Sequence, residues 1–447
     1  MYSEWVSLTE NIRSEDSPET VLKKFPPQVG RDVVQSILKP LTDLGNSSTV
    51  KNIDSSLPPN RPVSNLTSRE EVLWTMQVIG YGLTLSLSER ALIVSCLEVY
   101  DSWLSALYRP RKTLPPPIVE DPGPYVQIIF KQFCYVFEPR IDMYTLLAAA
   151  YHGQAPIMAQ MSNHAVLCDR VLQITHHLIR SKGTKLSRDS WNALLEYLLK
   201  ILDISLSPPS DTASLGQMLC DKLIHVLFEA WLRCCGESFP TPALWKSLRE
   251  LCCCWRHHPK VVQQWNKMMY SLTLGVIRHL YSPKYLADIA STLPSEEKDF
   301  KTFLEDMPKD CLVQSWFRLL HTLGNPVDLL YPNRLTSSPA FQKVATEFEK
   351  ESQKHKHPPP SPIQACLSTL PTIFHEAMKG IAALVYLFLG QELPEEEQMS
   401  LSARSGSVSS TTPAPGGIRH SPLLIKRKES KDGWGWCSTC THSTCTC

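Results

Sequence analysis

The chain has 447 residues, more than one compact core usually holds, so two or three domains or one extended repeat architecture are expected. Its 45 basic and 44 acidic residues give a formal net charge of +1. This balance gives no electrostatic reason to expect nucleic acid, an anionic membrane surface or a strongly charged substrate as a partner.

The first residues, MYSEWVSLTENIRSED, lack the basic start and apolar centre of a secretory signal. Residues 1–44 are predicted to form an N-terminal helical segment. Residues 45–66 are polar with three prolines and are predicted to be a flexible linker. Residues 67–390 are then predicted to form one helical region, which starts at the overlapping capping-box spacings Thr67–Glu70 and Ser68–Glu71.

Apolar residues at helical spacing dominate the middle of the chain. One such face is formed by Trp191, Leu194, Leu195, Leu198, Leu199 and Leu202, ahead of a break at SPPSD, residues 207–211. The next predicted helix carries Leu223, Val226, Leu227, Ala230 and Trp231, with Gly236 as its expected end. Thr241 is predicted to cap the helix after it, with Pro242 at the first helical position.

The same start signal is predicted at Ser338–Pro339 and at Leu370–Pro371. Residues 351–363 are predicted to form an exposed proline-rich loop. The longest apolar run, Ile381–Leu389, has about half the length needed to span a bilayer and is predicted to be a buried helix, so no membrane span is expected. Residues 391–447 are acidic, then Ser/Pro-rich, then Cys-rich, and are predicted to be a disordered tail.

Period-two alternation and hairpin signals are scarce. The predicted fold class is therefore all-α, an irregular α-solenoid of HEAT- or armadillo-like helical pairs without a strict repeat period. Most of the fifteen cysteines lie in apolar helical stretches. Free buried thiols suit a reducing, cytoplasmic location better than a disulfide framework does.

Adjacent histidines occur at His257–His258, next to Cys252–Cys254, and again at His176–His177. A hydrolase using Cys254 and His257 is one hypothesis. Neighbours on a helix point about 100° apart, however, so the first pair is interpreted as the end of a helix, where imidazole interacts with the last carbonyls and Pro259 stops the helix. The second pair is interpreted as partly exposed helix surface.

Three further groups of residues have a functional and a structural interpretation. Arg31, Arg256 and Arg318 could each be an arginine finger, but ordinary helix-surface arginine is favoured. Trp265, Met268 and Met269 could line a binding groove, and core packing is favoured. Glu395–Glu397 are expected to be solvated. Phosphate-binding and HExxH signatures are absent, so no catalytic residue and no cofactor are predicted.

The chain ends in CSTCTHSTCTC, in which Cys437, Cys440, Cys445 and Cys447 are candidate metal ligands, with His442 as a substitute. Structural zinc sites usually separate their ligand pairs by about ten or more residues, whereas here four intervene, 441–444. Low-complexity sequence with incidental metal affinity is therefore favoured.

Several segments together resemble the N-terminal region of the family of Ral GTPase-activating protein beta subunits. They are MYSEW at 1–5, GRDVVQSILKPL at 30–41, WTMQVIGYGLTL at 74–85, VLFEAWLRCCGESFPTPALWK at 226–246, WRHHPKVVQQW at 255–265, QSWFRLLHTLGNPVDL at 314–329 and IFHEAMKGIAALVYLFLG at 373–390. Residues 141–165 and the end of the chain from about 400 depart from the family pattern, which suggests a truncated or variant isoform.

The resemblance implies a non-catalytic scaffold that pairs with a catalytic alpha subunit acting on Ral-type small GTPases. The chain is expected to lack the GTPase-activating domain, which lies near the C-terminus of such subunits, and so to be no enzyme. The alternative is an unrelated α-solenoid adaptor that binds protein or peptide partners.

Overall fold

The computed structural model describes residues 8–14, 20–46, 64–140, 155–209, 214–281, 304, 307–323, 331–354 and 361–390. Within these ranges the chain forms helices and no strands. In chain order the α-helices are α1 Thr9–Arg13, α2 Pro27–Asn46, α3 Arg69–Gly82, α4 Arg90–Leu104, α5 Pro116–Glu120, α6 Gly123–Phe137, α7 Ala155–Arg180, α8 Arg188–Leu206, α9 Leu215–Glu237, α10 Pro242–Trp255, α11 Pro259–Tyr281, α12 Lys309–Leu323, α13 Asn333–Thr336, α14 Pro339–Ser352 and α15 Pro362–Phe388. Short 3-10 helices occupy Val21–Lys24, Leu87–Glu89 and Ser105–Leu107.

Most long helices pack on a helix one or two places away in the chain, whereas α15 packs on the more distant α11. Helix α6 lies against α8, α7 against α9, α8 against α9 and α10, α9 against α11, and α11 against α12 and α15. This sequential stacking, with no strand in the described ranges, confirms the prediction of an all-α, solenoid-like fold. The described helices are joined by one nearly continuous buried core.

Side-chain caps begin several helices as predicted from the sequence. The Ser68 hydroxyl accepts a hydrogen bond from the Glu71 amide at 3.2 Å, and the Glu71 carboxylate accepts one from the Ser68 amide at 2.9 Å. Thr241 caps α10 through the Leu244 amide, and Ser338 caps α14 through the Phe341 amide. Each cap satisfies an amide that the first turn of a helix leaves without a backbone partner.

One predicted helix start is wrong, and one predicted helix end differs from the structure by one residue. Pro371 does not begin a helix, because α15 starts at Pro362 and continues through it. Pro371 is exposed, so the carbonyl that loses its amide partner lies on the solvent side. Gly236 does not end α9, which runs to Glu237, and the left-handed residue is instead Phe239, with φ at 51°. The Phe239 amide donates to the Cys234 carbonyl at 2.8 Å, and its ring centroid lies 6.1 Å from that of Trp245.

The predicted division into segments stays a prediction. Helix α2, which runs to Asn46 and so into the predicted linker 45–66, packs against α3. Most of 45–66, part of 141–165 and of 351–363, and all of 391–447 lie outside the described residues. Described residues at both ends of the loop prediction 351–363 are helical, since α14 ends at Ser352 and α15 begins at Pro362.

Candidate functional site

The residues singled out from the sequence are placed apart from one another. Cys437, Cys440, Cys445 and Cys447, with His442, lie outside the described residues, as do Glu395–Glu397. Trp265, Met268 and Met269 are fully buried, which confirms their interpretation as core. The indole of Trp265 donates to the Leu319 carbonyl at 2.9 Å and so fixes α11 on α12.

His257 and His258 lie in the turn between α10 and α11, where Pro259 begins the second helix rather than simply stopping the first. Both imidazoles are buried, at 4% and 7% exposure. Their Nε2 atoms lie 3.3 Å from the Pro208 carbonyl and 3.0 Å from the Leu206 carbonyl, so they donate to carbonyls at the C-terminal end of α8. We name this pair the linker histidines.

Burial lowers the pKa of His257 to about 3 and that of His258 to about 4, because an imidazolium would lose its hydration there. The linker histidines are therefore neutral hydrogen-bond donors. As the sequence interpretation expected, the pair follows the end of α10, and the imidazole of His257 also bonds the Cys254 carbonyl in the last turn of that helix. The interpretation did not include the carbonyls of Leu206 and Pro208 at the end of α8.

The hypothetical nucleophile pair of Cys254 and His257 is not assembled. The sulfur of Cys254 lies 3.6 Å from Nη2 of Arg13, and the imidazole of His257 contacts the Pro208 carbonyl. Burial raises the pKa of the Cys254 thiol, so the reactive thiolate is disfavoured.

Each of the three arginines has a structural partner. Arg31 lies 2.8 Å from the Glu89 carboxylate, and Arg318 lies over the rings of Phe239 and Trp245 at 5.8 and 5.7 Å. Arg256 is fully buried and donates to the Tyr331 carbonyl, so its interpretation as helix surface was wrong. A buried guanidinium needs hydrogen-bond acceptors, and the Tyr331 carbonyl is one of them.

A second group of titratable side chains forms where α7 packs on α9. His176 and Arg180 are four residues apart on α7, and His225 and Glu229 are four residues apart on α9, so each pair shares one face of its helix. The carboxylate of Glu229 is fully buried. We name these four residues the interhelix cluster.

The carboxylate of Glu229 is the centre of the interhelix cluster. Its Oε2 lies 2.7 Å from Nε2 of His176, and its Oε1 lies 3.3 Å from Nε2 of His225. Arg180 donates to both oxygens, with Nε at 3.2 Å from Oε2. Burial raises the pKa of Glu229, but the contacts from His176, His225 and Arg180 outweigh it and hold the pKa well below its usual range.

The interhelix cluster combines three side chains that could hold a metal ion. One ligand atom from each of His176, His225 and Glu229 can be chosen so that all lie within 4.8 Å of one another. Sequence reasoning noticed His176 but missed His225 and Glu229. The available signal was a charged Glu229 inside the apolar run VLFEAWL, because a carboxylate in such a position needs buried partners.

In the part of the chain that the structure describes, no helix is long and apolar enough to cross a membrane.

Comparison with known proteins gives a consistent set of relatives. Residues 160–283 match the family described as the RALGAPB N-terminal domain. The chain is 35% identical to Ral GTPase-activating protein subunit beta of Mus musculus and of Homo sapiens over 437 residues, which is 96% of this chain. It is 23% identical to Ral GTPase-activating protein subunit alpha-1 of Homo sapiens over 150 residues, or 32% of this chain and 7% of that protein. No solved structure matches.

The chain spans 27% of the length of the beta subunits that it matches. The matched domain, 160–283, contains α8 to α11 and most of α7, so it contains both the linker histidines and the interhelix cluster.

Proposed function

Because this chain is related along nearly its whole length to Ral GTPase-activating protein subunit beta, we propose that it is a non-catalytic scaffold or regulatory subunit of a heterodimeric GTPase-activating complex. The complex would act on Ral-type small GTPases through a catalytic alpha subunit. The extent of the similarity carries this proposal. The stacked helices support it, because a solenoid offers extended surfaces for another protein.

The chemistry of the described residues agrees with a binding role. Cys254 and His257, the hypothetical nucleophile pair, have separate partners. The three candidate arginine fingers contact Glu89, the Tyr331 carbonyl and aromatic rings, respectively. We therefore assign no catalytic residue, and the chain alone is expected to leave GTP hydrolysis by Ral unchanged.

We place the proposed surface for the partner on three helices, α11, α12 and α15. Helices α12 and α15 both pack on α11. All three carry large exposed apolar side chains, among them Leu280, Phe317 and Val385, which are 58%, 56% and 52% exposed. Such side chains on neighbouring helices are typical of an interaction surface, and we propose that the alpha subunit covers them.

A cytoplasmic location belongs to the same proposal. All the cysteines among the described residues are free, including the buried Cys96, Cys168 and Cys252. Free thiols in such numbers are typical of a reducing compartment. The small GTPases of this proposal would be located in the same compartment.

Co-expression of the full chain with the alpha subunit, followed by affinity purification, tests the proposal. The two proteins are expected to purify together. Phe317→Asp and Val385→Asp are expected to weaken the interaction, because each places a charge in an apolar interface. Phe25→Asp is the matched control, since Phe25 is 51% exposed but lies near the N-terminus.

Two results would count against this function. If the unaltered chain does not retain the alpha subunit, the subunit role is wrong for this chain. If Phe25→Asp weakens the interaction as much as Phe317→Asp does, the partner does not bind selectively at α11, α12 and α15.

A further inference from the structure

We propose that His176, His225 and Glu229 of the interhelix cluster bind a divalent transition-metal ion of the zinc class. The three residues supply two imidazole nitrogens and one carboxylate, a donor set that suits zinc, nickel and copper better than magnesium or calcium. Three protein ligands leave one tetrahedral position for water or an anion.

The backbone already brings the ligand atoms together. Ligand atoms of a tetrahedral zinc site lie about 3.3 Å apart, given zinc–ligand distances of about 2.0 to 2.1 Å. The Glu229 oxygens lie 2.7 Å from Nε2 of His176 and 3.3 Å from Nε2 of His225. The imidazole ring centroids of the two histidines are 5.9 Å apart, so both rings approach the carboxylate from separate directions.

The ring nitrogen of His176 gives a second, independent indication. Its Nε2 is buried from water and, although it is close to the carboxylate, it lies outside the geometry of a hydrogen bond. Buried polar atoms are normally paired, and one without a hydrogen bond needs an explanation. A metal ion within reach of the three ligand atoms would satisfy this nitrogen.

Access and charge are compatible with reversible binding. The side chains of His176 and His225 are 29% and 21% exposed, so both reach solvent, whereas Nε2 of His176 and the Glu229 carboxylate are buried. Arg180 orients the carboxylate and also opposes a second positive charge. We therefore expect affinity well below that of a structural zinc site, and a bound anion would offset the repulsion.

The competing explanation is an electrostatic clamp without metal. Arg180 alone supplies two donors to Glu229 and so accounts for the buried carboxylate. It does not account for two histidine nitrogens at the same carboxylate, one of them outside hydrogen-bond geometry. The two explanations differ in whether metal binding depends on the histidines.

Cobalt titration of the full chain tests the site. Cys437, Cys440, Cys445 and Cys447 are replaced by serine, so that thiolates of the tail cannot bind the ion. One Co²⁺ per chain is expected to give visible d–d absorption without a thiolate charge-transfer band, and Zn²⁺ should displace it. His176→Gln, His225→Gln and Glu229→Gln should each weaken binding by about tenfold or more.

His177→Gln is the matched control, because His177 adjoins the cluster in sequence but contacts the Tyr108 ring instead. It should leave cobalt binding unchanged. Since His176 is partly exposed, its replacement should fold, which circular dichroism checks for every variant. Absence of cobalt binding, or binding unaffected by His176→Gln and His225→Gln in folded protein, would overturn the proposal and leave an electrostatic clamp only.

Discussion

The two histidine groups of the matched domain are built in opposite ways. The linker histidines are neighbours in sequence, and both are buried against the backbone carbonyls of Leu206 and Pro208 at the end of α8. The interhelix cluster joins His176 of α7 to His225 and Glu229 of α9, and its histidines reach solvent. A pair of adjacent histidines that stands out in the sequence is thus structural. Residues on two different helices, with no sequence motif joining them, form the site with more potential metal ligands.

The nature of the partner explains this difference. A backbone carbonyl accepts from a neutral imidazole and gives little compensation for a buried charge, so the linker histidines serve to hold two helix ends together. A buried carboxylate requires positive or hydrogen-bonding groups around it, and it gathers them from two helices. The first group is therefore expected to contribute to stability, and the second to stability and ligand binding.

The largest effect is expected from His258→Ala. The change leaves a cavity and removes the donor to the Leu206 carbonyl, which together should lower the free energy of unfolding by about 3 to 5 kcal/mol. Urea denaturation followed by circular dichroism measures the loss. His279→Ala makes the same chemical change on an exposed residue and should cost less than about 0.5 kcal/mol. Equal losses in the two variants would show that the linker histidines are not structural.

The next effect is a loss of stability on acidification. The pKa values of His257 and His258, about 3 and about 4, lie below the value of about 6.5 in an unfolded chain, so between these limits the unfolded state binds more protons. Their contribution is complete above pH 6.5 and is lost as the pH falls toward 4. Arg256, next to His257, adds to the cost of protonation.

We expect the free energy of unfolding to fall by about 2 to 4 kcal/mol between pH 7 and pH 5, since each histidine contributes at most about 1.4 kcal/mol per pH unit. Urea denaturation at both pH values measures it. In His257→Gln the free energy of unfolding should fall less between pH 7 and pH 5, by roughly the amount that one histidine contributes. A stability that does not change across this range would contradict the buried, neutral state.

A smaller effect is expected in the interhelix cluster. Glu229→Gln keeps the shape of the side chain but removes the charge that pairs with Arg180, and it should cost about 1 to 2 kcal/mol because Arg180 can still be hydrated. Glu237→Gln is the control, as Glu237 pairs with Arg233 on the surface of the same helix. It should cost about 0.2 to 0.5 kcal/mol, and a Glu229→Gln loss of that size would make the cluster an ordinary surface ion pair.

Local signals in the sequence predicted much of the fold. The structure confirms the predicted helix caps at Ser68, Thr241 and Ser338. It also confirms the predicted buried face from Trp191 to Leu202. Both kinds of signal depend only on residues within one or two helical turns. Pro371 lies inside α15 rather than at its start, because packing along this long helix overrode the local preference, and α9 ends one residue after Gly236.

The interhelix cluster could not be predicted in the same way. His176 and His225 meet only because α7 and α9 pack together, and no spacing within one helix encodes that contact. Arg256 was misread for a related reason, since its partner carbonyl at Tyr331 lies 75 residues away in the chain. Long-range pairs of this kind follow from the tertiary fold rather than from any local motif.

Sedimentation velocity on the purified full chain mixed with the alpha subunit tests most directly whether this chain is a subunit that binds a catalytic partner. A heterodimer is expected to sediment faster than either protein alone, to persist in Phe25→Asp and to be weakened in Phe317→Asp. Independent sedimentation of the two unaltered proteins at concentrations where obligate subunits associate would contradict the claim.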